Sequence, residues 1–228
     1  MGNESFFQRT ELLLGMATMS ALANTHVLVV GTGGVGSWCA EALARTGVAH
    51  LTLVDFDRVC ASNVNRQLMA TSATVGEPKV AALARRLREI NPAADIEAVE
   101  GVYSADTAQA FKLEAYDYVI DAIDSVADKA HLIRHALSIP SVTLFSSMGA
   151  ARRLDPFRIR ATEFWKVHGD GLARALRNRF RKTGEFPARK FTCVWSDEPP
   201  RADAGTVMHV TAAFGLALAS LVVRKVEA

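Results

Sequence analysis

Between Val27 and Gly47 the chain reads VLVVGTGGVGSWCAEALARTG: an apolar run, a cluster of glycines, then a helix-forming stretch. Gly31, Gly33 and Gly36 have the spacing GxGxxG, and Gly34 is a fourth glycine inside it. Each small residue has a physical task. One permits a tight turn, one lets the backbone approach a phosphate, and one lets the helix lie close on the strand. The phosphates then face the unpaired amides at the helix start. Asp55 ends the next apolar run, AHLTLVD, the position from which a carboxylate takes ribose hydroxyls. These residues specify a nucleotide site, belonging either to a dehydrogenase or to an enzyme that acts on the phosphates.

The following stretch separates the two. DFDRVCASNVNRQLMATSATVGEPKV holds Asp57, Asn63, Asn65, Arg66, Gln67 and Lys79. Hydride transfer needs no such polar loop, whereas Arg66 and Lys79 are the groups that neutralise a triphosphate and the charge developing at phosphorus. Asp124, ending the run YDYVIDAID, offers oxygen ligands for Mg²⁺ near the same phosphates. Singly, Arg66 reads as a surface arginine and Lys79 as a solvent-facing lysine; together they point to ATP activation.

The elements that must carry these residues alternate. The pattern predicts a helix over Thr10 to Ala23, a strand over His26 to Val30 and a helix over Val35 to Thr46. A strand over Ala49 to Asp55, a helix through EPKVAALARRLREIN and a strand DIEAVE follow. Then come a short helix over Asp106 to Leu113, a strand over Tyr116 to Asp124, a helix through KAHLIRHAL and a strand PSVTLFSS. Alternation at this spacing calls for an α/β fold, a Rossmann-like, mostly parallel sheet flanked by helices, with ligands beyond the carboxyl ends of the strands. After Gly149 the pattern changes to an extended FRIRATEF, a basic helix GLARALRNRFRKTG, a strand in KFTCVWSDEPP and an apolar run from Thr206 to Val223. That run approaches membrane-spanning length, but its alanine content suits a buried core helix, and no stable membrane insertion is expected. At 228 residues the chain suits one domain. Residues 1–150 would form the nucleotide-binding core, and 151–228 the substrate-facing and sheet-completing part.

The formal charge is only +2, yet it is unevenly spread. From Arg152 to Lys190 there are 12 Lys or Arg against 4 Asp or Glu, which leaves 14 against 20 in the rest of the chain. A late basic patch thus sits on an otherwise acidic protein. Cys39, Cys60 and Cys193 form no CxxC pair, so neither a disulfide framework nor a four-cysteine zinc site is suggested, and a reducing, cytoplasmic setting fits. Cys193 reads as a small buried strand residue, and His168 and His209 have no evident catalytic support. MGNESFFQRTELLLG is a poor secretory signal; Gly2 and Ser5 fit the myristoylation spacing, a match so short that chance supplies it.

Taken together, GxGGxG, DxD, SNxNRQ, a lysine after VGxxK and DAIDS resemble the adenylating fold shared by ubiquitin-activating enzymes and bacterial activators of sulfur-carrier proteins. Within it, RTELLLG, GVGSWCAEALARTGV, REINP, YVIDAIDSVADKAHLI and RRLDPFRI are similar to the tRNA threonylcarbamoyladenosine dehydratase branch, a resemblance covering nearly the whole chain. It implies that Gly31, Gly33, Gly34 and Gly36 form the nucleotide turn and that Asp55 binds ribose. Asp57, Asn63, Arg66 and Lys79 would surround ribose and phosphates, and Asp124 would be the magnesium-associated aspartate. Arg9, before the first helix, would reach the phosphates of a partner subunit, which requires a homodimer.

The implied activity is ATP- and Mg²⁺-dependent: the carboxylate of threonylcarbamoyladenosine in tRNA is adenylated, then an atom of the same side chain closes a ring and expels AMP. The basic patch, RNRFRKTG with Arg152, Arg153, Arg158 and Arg160, suits tRNA phosphates, and Phe164, Trp165 or Phe180 suit stacking on bases. The resemblance leaves room for a sulfur-transfer or redox protein partner. Two other readings stay open: an adenylyltransferase for a sulfur-carrier protein, and a non-catalytic nucleotide- and RNA-binding module. The branch usually has proline where this chain has Gly171, and some members carry a longer late insertion that it lacks.

Overall fold

The computed structural model describes residues 6–203 and 205–228; Gly2 and Ser5 lie outside them. Helix α1 covers Gln8–Ala23, followed by β1 (His26–Val30), α2 (Gly36–Thr46), β2 (His50–Asp55), α3 (Lys79–Ile90) and β3 (Asp95–Glu100). Next come β4 (Tyr118–Asp121), α4 (Val126–Ser138), β5 (Thr143–Ser147), β6 (Ile159–Glu163), α5 (Gly171–Thr183), β7 (Thr192–Ser196) and α6 (Met208–Glu227). The seven strands form one sheet in the order β3-β2-β1-β4-β5-β7-β6. All neighbours are parallel except β6, which pairs antiparallel with β7. The expected Rossmann-like sheet is therefore present, with an antiparallel edge supplied by the segment after Gly149.

Alternation along β1 divides the core. Val27 and Val29 face α2, α3 and α6, whereas Leu28 and Val30 face α4 and α5. The apolar run near the C-terminus is α6, long and apolar enough to cross a membrane. Here it buries Val210, Phe214, Leu218 and Val222 at 0% exposure and packs on α2. Gly215 makes this possible: a Cβ there would stand 2.4 Å from the Val35 carbonyl oxygen and 2.8 Å from the Cys39 nitrogen. The two helix backbones thus lie closer than any side chain permits.

Three expectations need correction. Residues 106–113 form no α-helix but two 3₁₀ turns, Ala108–Phe111 and Leu113–Ala115, because Lys112 between them takes a left-handed φ of 41°. The strand expected to reach Asp124 ends at Asp121, where pairing with β1 and β5 stops. Arg9 lies inside α1 rather than before it.

Two glycines should respond oppositely to substitution. Gly215→Ala gains up to about 1 kcal/mol of helix propensity, but forcing α6 from α2 costs about 1–3 kcal/mol, so a net loss in urea denaturation is expected. Gly171 is the first residue of α5, after the Asp170 N-cap, and a Cβ there meets nothing within 4 Å. Gly171→Pro should raise stability by about 0.4–1 kcal/mol in the same assay.

Candidate nucleotide-binding site

The glycine turn joins β1 to α2 at the carboxyl edge of the sheet. Gly31 has φ +89°, and a Cβ there would lie 2.7 Å from the Ala122 carbonyl oxygen, so the turn crosses directly over the chain leaving β4. A Cβ on Gly36 would fall 1.8 Å from the Gly31 carbonyl oxygen, a position only hydrogen can fill. Gly34 is bounded by Arg66 and by Thr211 of α6, at 3.2 and 3.3 Å from an added Cβ. At Gly33 nothing lies nearer than Gln67 Nε2 at 3.7 Å. An added Cβ at Gly33 would make only an ordinary contact, so the protein's own packing does not demand glycine there, whereas close approach of a phosphate would.

Asp55 holds the turn in place. Its Oδ2 accepts from the Thr32 backbone nitrogen at 2.7 Å and from the Thr32 hydroxyl at 3.1 Å, and its Oδ1 accepts from the Asp57 nitrogen at 3.0 Å. Thr32 was not evident from sequence, although a hydroxyl directly after the first glycine was the signal available. Lys79, which read singly would face solvent, opens α3 with only 6% of its side chain exposed, and its Nζ lies 2.6 Å from Asp57 Oδ2. Two motif residues separated by the long loop thus meet. Asn63 is buried and accepts from the Cys60 nitrogen at 2.9 Å, which shapes the loop. Arg66 Nη1 donates to the Ser62 carbonyl at 3.0 Å and to Asn65 Oδ1 at 2.8 Å, while Trp38 Nε1 donates to the Arg66 carbonyl at 3.0 Å. Gln67 is buried, and its Oε1 has no hydrogen-bond partner among the described residues.

A buried ion pair lies beneath the turn. Asp121 and Lys129 are both 0% exposed, with Nζ and Oδ2 2.9 Å apart. Ser146 donates to Asp121 Oδ2 at 2.6 Å, and the Ile123 nitrogen donates to Oδ1 at 3.1 Å. Lys129 Nζ also donates to the Ile123 carbonyl at 2.9 Å, so the pair clamps the segment that carries Asp124. Asp124 itself is exposed, and among the described residues no hydrogen bond or ion pair engages its carboxylate. No group of three or more His, Cys, Asp or Glu side chains among the described residues could hold a metal ion. The open Asp124 carboxylate fits a cation that takes its remaining ligands from phosphate oxygens and water, as Mg²⁺ commonly does.

Arg9 does not join the other site residues. Phe7, two positions earlier, packs toward Gly47 past the far end of α2, 3.9 Å from an added Cβ there. The eleven residues of α2 place that end about 16 Å from the glycine turn.

Several sequence candidates prove structural. Cys193 is buried, its Sγ donates to the Thr162 carbonyl at 3.6 Å, and burial pushes its thiol pKa up to about 12, which suppresses the nucleophilic thiolate. His209 donates to the Leu154 carbonyl at 2.9 Å, and His168 stands edge-on to Trp195. The expected basic patch contracts. Arg152 donates to the carbonyls of Arg201 and Ala202; Arg153 is buried 3.7 Å from Asp170; Arg158 and Arg160 share Asp197. Arg177 donates to the carbonyls of Phe164 and Val167. Phe164 and Phe180 are core residues at 0% and 1% exposure and cannot stack on a base; Trp165 is partly exposed, at 38%.

The ThiF family model matches residues 7–226. The chain belongs to the ThiF family. This ThiF-family chain is 42% identical over 194 residues to the tRNA threonylcarbamoyladenosine dehydratase of Bacillus subtilis (strain 168), covering 85% of this chain and 75% of that one. The crystal structure of the E. coli tRNA N6-threonylcarbamoyladenosine dehydratase in complex with ATP superimposes with a TM-score of 0.91 at 37% identity, covering 96% of this chain and 93% of that one. The E. coli (strain K12) molybdopterin-synthase adenylyltransferase is 36% identical over 162 residues, covering 70% of this chain and 61% of that one.

The clamp under the turn yields a prediction for this ThiF-family site. Lys129→Met strands a buried carboxylate and should cost about 3–5 kcal/mol in urea denaturation. A loss below about 1 kcal/mol would show that water already reaches Asp121.

Proposed function

We propose that this protein is an ATP-dependent tRNA threonylcarbamoyladenosine dehydratase working by adenylation. The observation that carries this is the ATP-complexed dehydratase neighbour, which superimposes over 96% of the chain at 37% identity, on a fold whose glycine turn sits at the carboxyl edge of the sheet with Asp55 beneath it. Likeness to the sulfur-carrier-type adenylyltransferase is shorter and weaker.

In this reading ATP lies along the turn, its ribose hydroxyls at Asp55 and its phosphates over the amides of Gly33, Gly34 and Gly36. Lys79, oriented by Asp57, and Arg66 stabilise charge on the phosphates, and Asn63 keeps their loop in shape. Asp124 fits a site for Mg²⁺, which would supply further neutralisation of phosphate charge. The carboxylate of the modified nucleoside attacks the α-phosphate and pyrophosphate leaves. An atom of the same side chain then attacks the activated carbonyl and AMP departs, so one water is lost in all. Holding the two ends of one side chain together supplies the intramolecular advantage without a protein nucleophile, in agreement with the buried, protonated Cys193. Residues 1–150 supply the nucleotide core and 151–228 complete the sheet and face the substrate, within one cytoplasmic domain.

The same reading includes a homodimer. α1 exposes Leu12, Leu13 and Met16 at 75%, 81% and 75%, and Phe6 just ahead of it at 80%. Such a patch on a soluble surface marks a contact site, and Arg9 lies among these residues, removed from the phosphates of its own chain.

Threonylcarbamoyl-modified tRNA incubated with the protein, ATP and Mg²⁺ should lose one water from the modified nucleoside and release AMP, read by mass spectrometry of mildly prepared nucleosides. An unchanged nucleoside, with AMP transferred instead to a small Gly-Gly-ending protein, would overturn the assignment in favour of sulfur-carrier activation. Arg66→Ala and Lys79→Ala should each abolish most AMP formation. Leu13→Glu should yield monomers in sedimentation. Mixing Arg9→Ala with Arg66→Ala protein, each inactive alone, should restore part of the activity only if Arg9 serves the partner's site.

A further inference from the structure

We propose that the exposed face of α5 is an RNA-docking ridge along which the tRNA phosphate backbone leaves the adenylation site. This rests on the reading that tRNA is the substrate.

Twelve cations lie between Arg152 and Lys190, and the protein has already used half of them. Five are the arginines at 152, 153, 158, 160 and 177, tied as described above. The sixth, Arg189, donates to the carbonyls of Leu137, Ile139, Pro140 and Val142 around the C-terminal end of α4. Lys166, Arg174, Arg179, Arg181, Lys182 and Lys190 remain. All are exposed, and none has an ion-pair partner among the described residues. Four of the six project from α5, and the other two lie just before and after it.

α5 is built for one-sided exposure. It buries Ala173, Leu176 and Phe180 and contains no acidic residue. The acid nearest its C-terminal end, Glu185, is held by Arg134 at 2.6 Å. Cations gathered without acids between them repel one another, and a surface serving only solubility mixes the two signs. A polyanion relieves that repulsion and releases its own counterions on binding.

Position and surface character select RNA. The Asp170 N-cap of α5 accepts from the Gly149 nitrogen at 3.2 Å, two residues beyond β5, so the ridge begins at the carboxyl edge that holds the nucleotide turn. Its thirteen residues then run roughly 20 Å away. Arg174 and Arg181 are seven residues apart and share one side of the helix, about 10 Å from each other along its axis. The exposed residues of α5 include no large apolar side chain. A protein partner would want such residues at the centre of its interface, whereas a double-stranded RNA stem is read through shape and backbone.

The test uses fluorescence anisotropy of a labelled, unmodified anticodon stem-loop RNA with the full-length protein, alongside the dehydration assay. R174E/R181E/K182E should weaken RNA binding at least about tenfold and reduce the slope of log affinity against log salt by about 2–3. It should raise KM for tRNA more than it lowers kcat, with unchanged ATP affinity. K225E, on α6 across the sheet, should match the wild type. If charge reversal perturbs folding, R174Q/R181Q/K182Q should act in the same direction with a smaller change. Wild-type RNA affinity in a folded triple variant that still dehydrates tRNA sinks the ridge and leaves the function standing. A variant that keeps RNA affinity but loses adsorption to anionic phospholipid vesicles also overturns it, making α5 a membrane contact. Loss of RNA binding in the variant, with no dehydration by the wild type, supports the ridge and refutes the dehydratase reading.

Discussion

The ion pair between Asp121 and Lys129 is the constraint around which the carboxyl edge is organised. Two charges with no solvent contact are costly unless each finds compensating partners, and both do. Asp121 receives Ser146 and the Ile123 amide, and Lys129 reaches the Ile123 carbonyl as well as the carboxylate. The result is a rigid exit from β4. Because Gly31 rests on the Ala122 carbonyl, the glycine turn is positioned by this exit, and the turn in turn sets the start of α2. Helix α6 packs on that start through Gly215, so a polar contact in the middle of the sheet governs how closely the outer helices can assemble.

Much of this was legible in the sequence because local chemistry and tertiary structure agree. The glycine spacing, the acid ending the second strand and the alternation of strands with helices each predict the same carboxyl-edge site, and β1 has the expected boundaries. The sequence says less where a long-range contact outweighs a local pattern. Nothing near Lys79 in sequence says that it folds inward; its burial follows from meeting Asp57, twenty-two residues earlier. Asp124 reads in sequence as a strand end, yet pairing stops at Asp121, whose carboxylate accepts from the Ile123 amide just beyond it. The clamp itself was invisible, since Lys129 reads as an ordinary helical lysine until α4 is laid over β4.

The segment after Gly149 shows why counting charge overestimates a binding surface. Half of the cations between Arg152 and Lys190 bind carboxylates or carbonyls of their own fold, where they replace regular backbone pairing in an irregular region. Arg189 alone collects four carbonyls around the end of α4. Arginine suits this work because its planar group carries five donors. The distinction between mortar and open surface depends on which carbonyls lack partners, and that requires the fold.

The two rims of the sheet also differ from its interior. β3 closes one side with Asp95, Glu97 and Glu100, and β6 closes the other with Arg160 and Glu163. Charges at such rims discourage another chain from adding itself as a further strand. Self-association of this protein is therefore steered toward its helical flanks, which leaves the order of the strands fixed. Fibrous growth through the sheet is disfavoured by the same residues that make its outer strands look, in sequence, too polar to belong to a core.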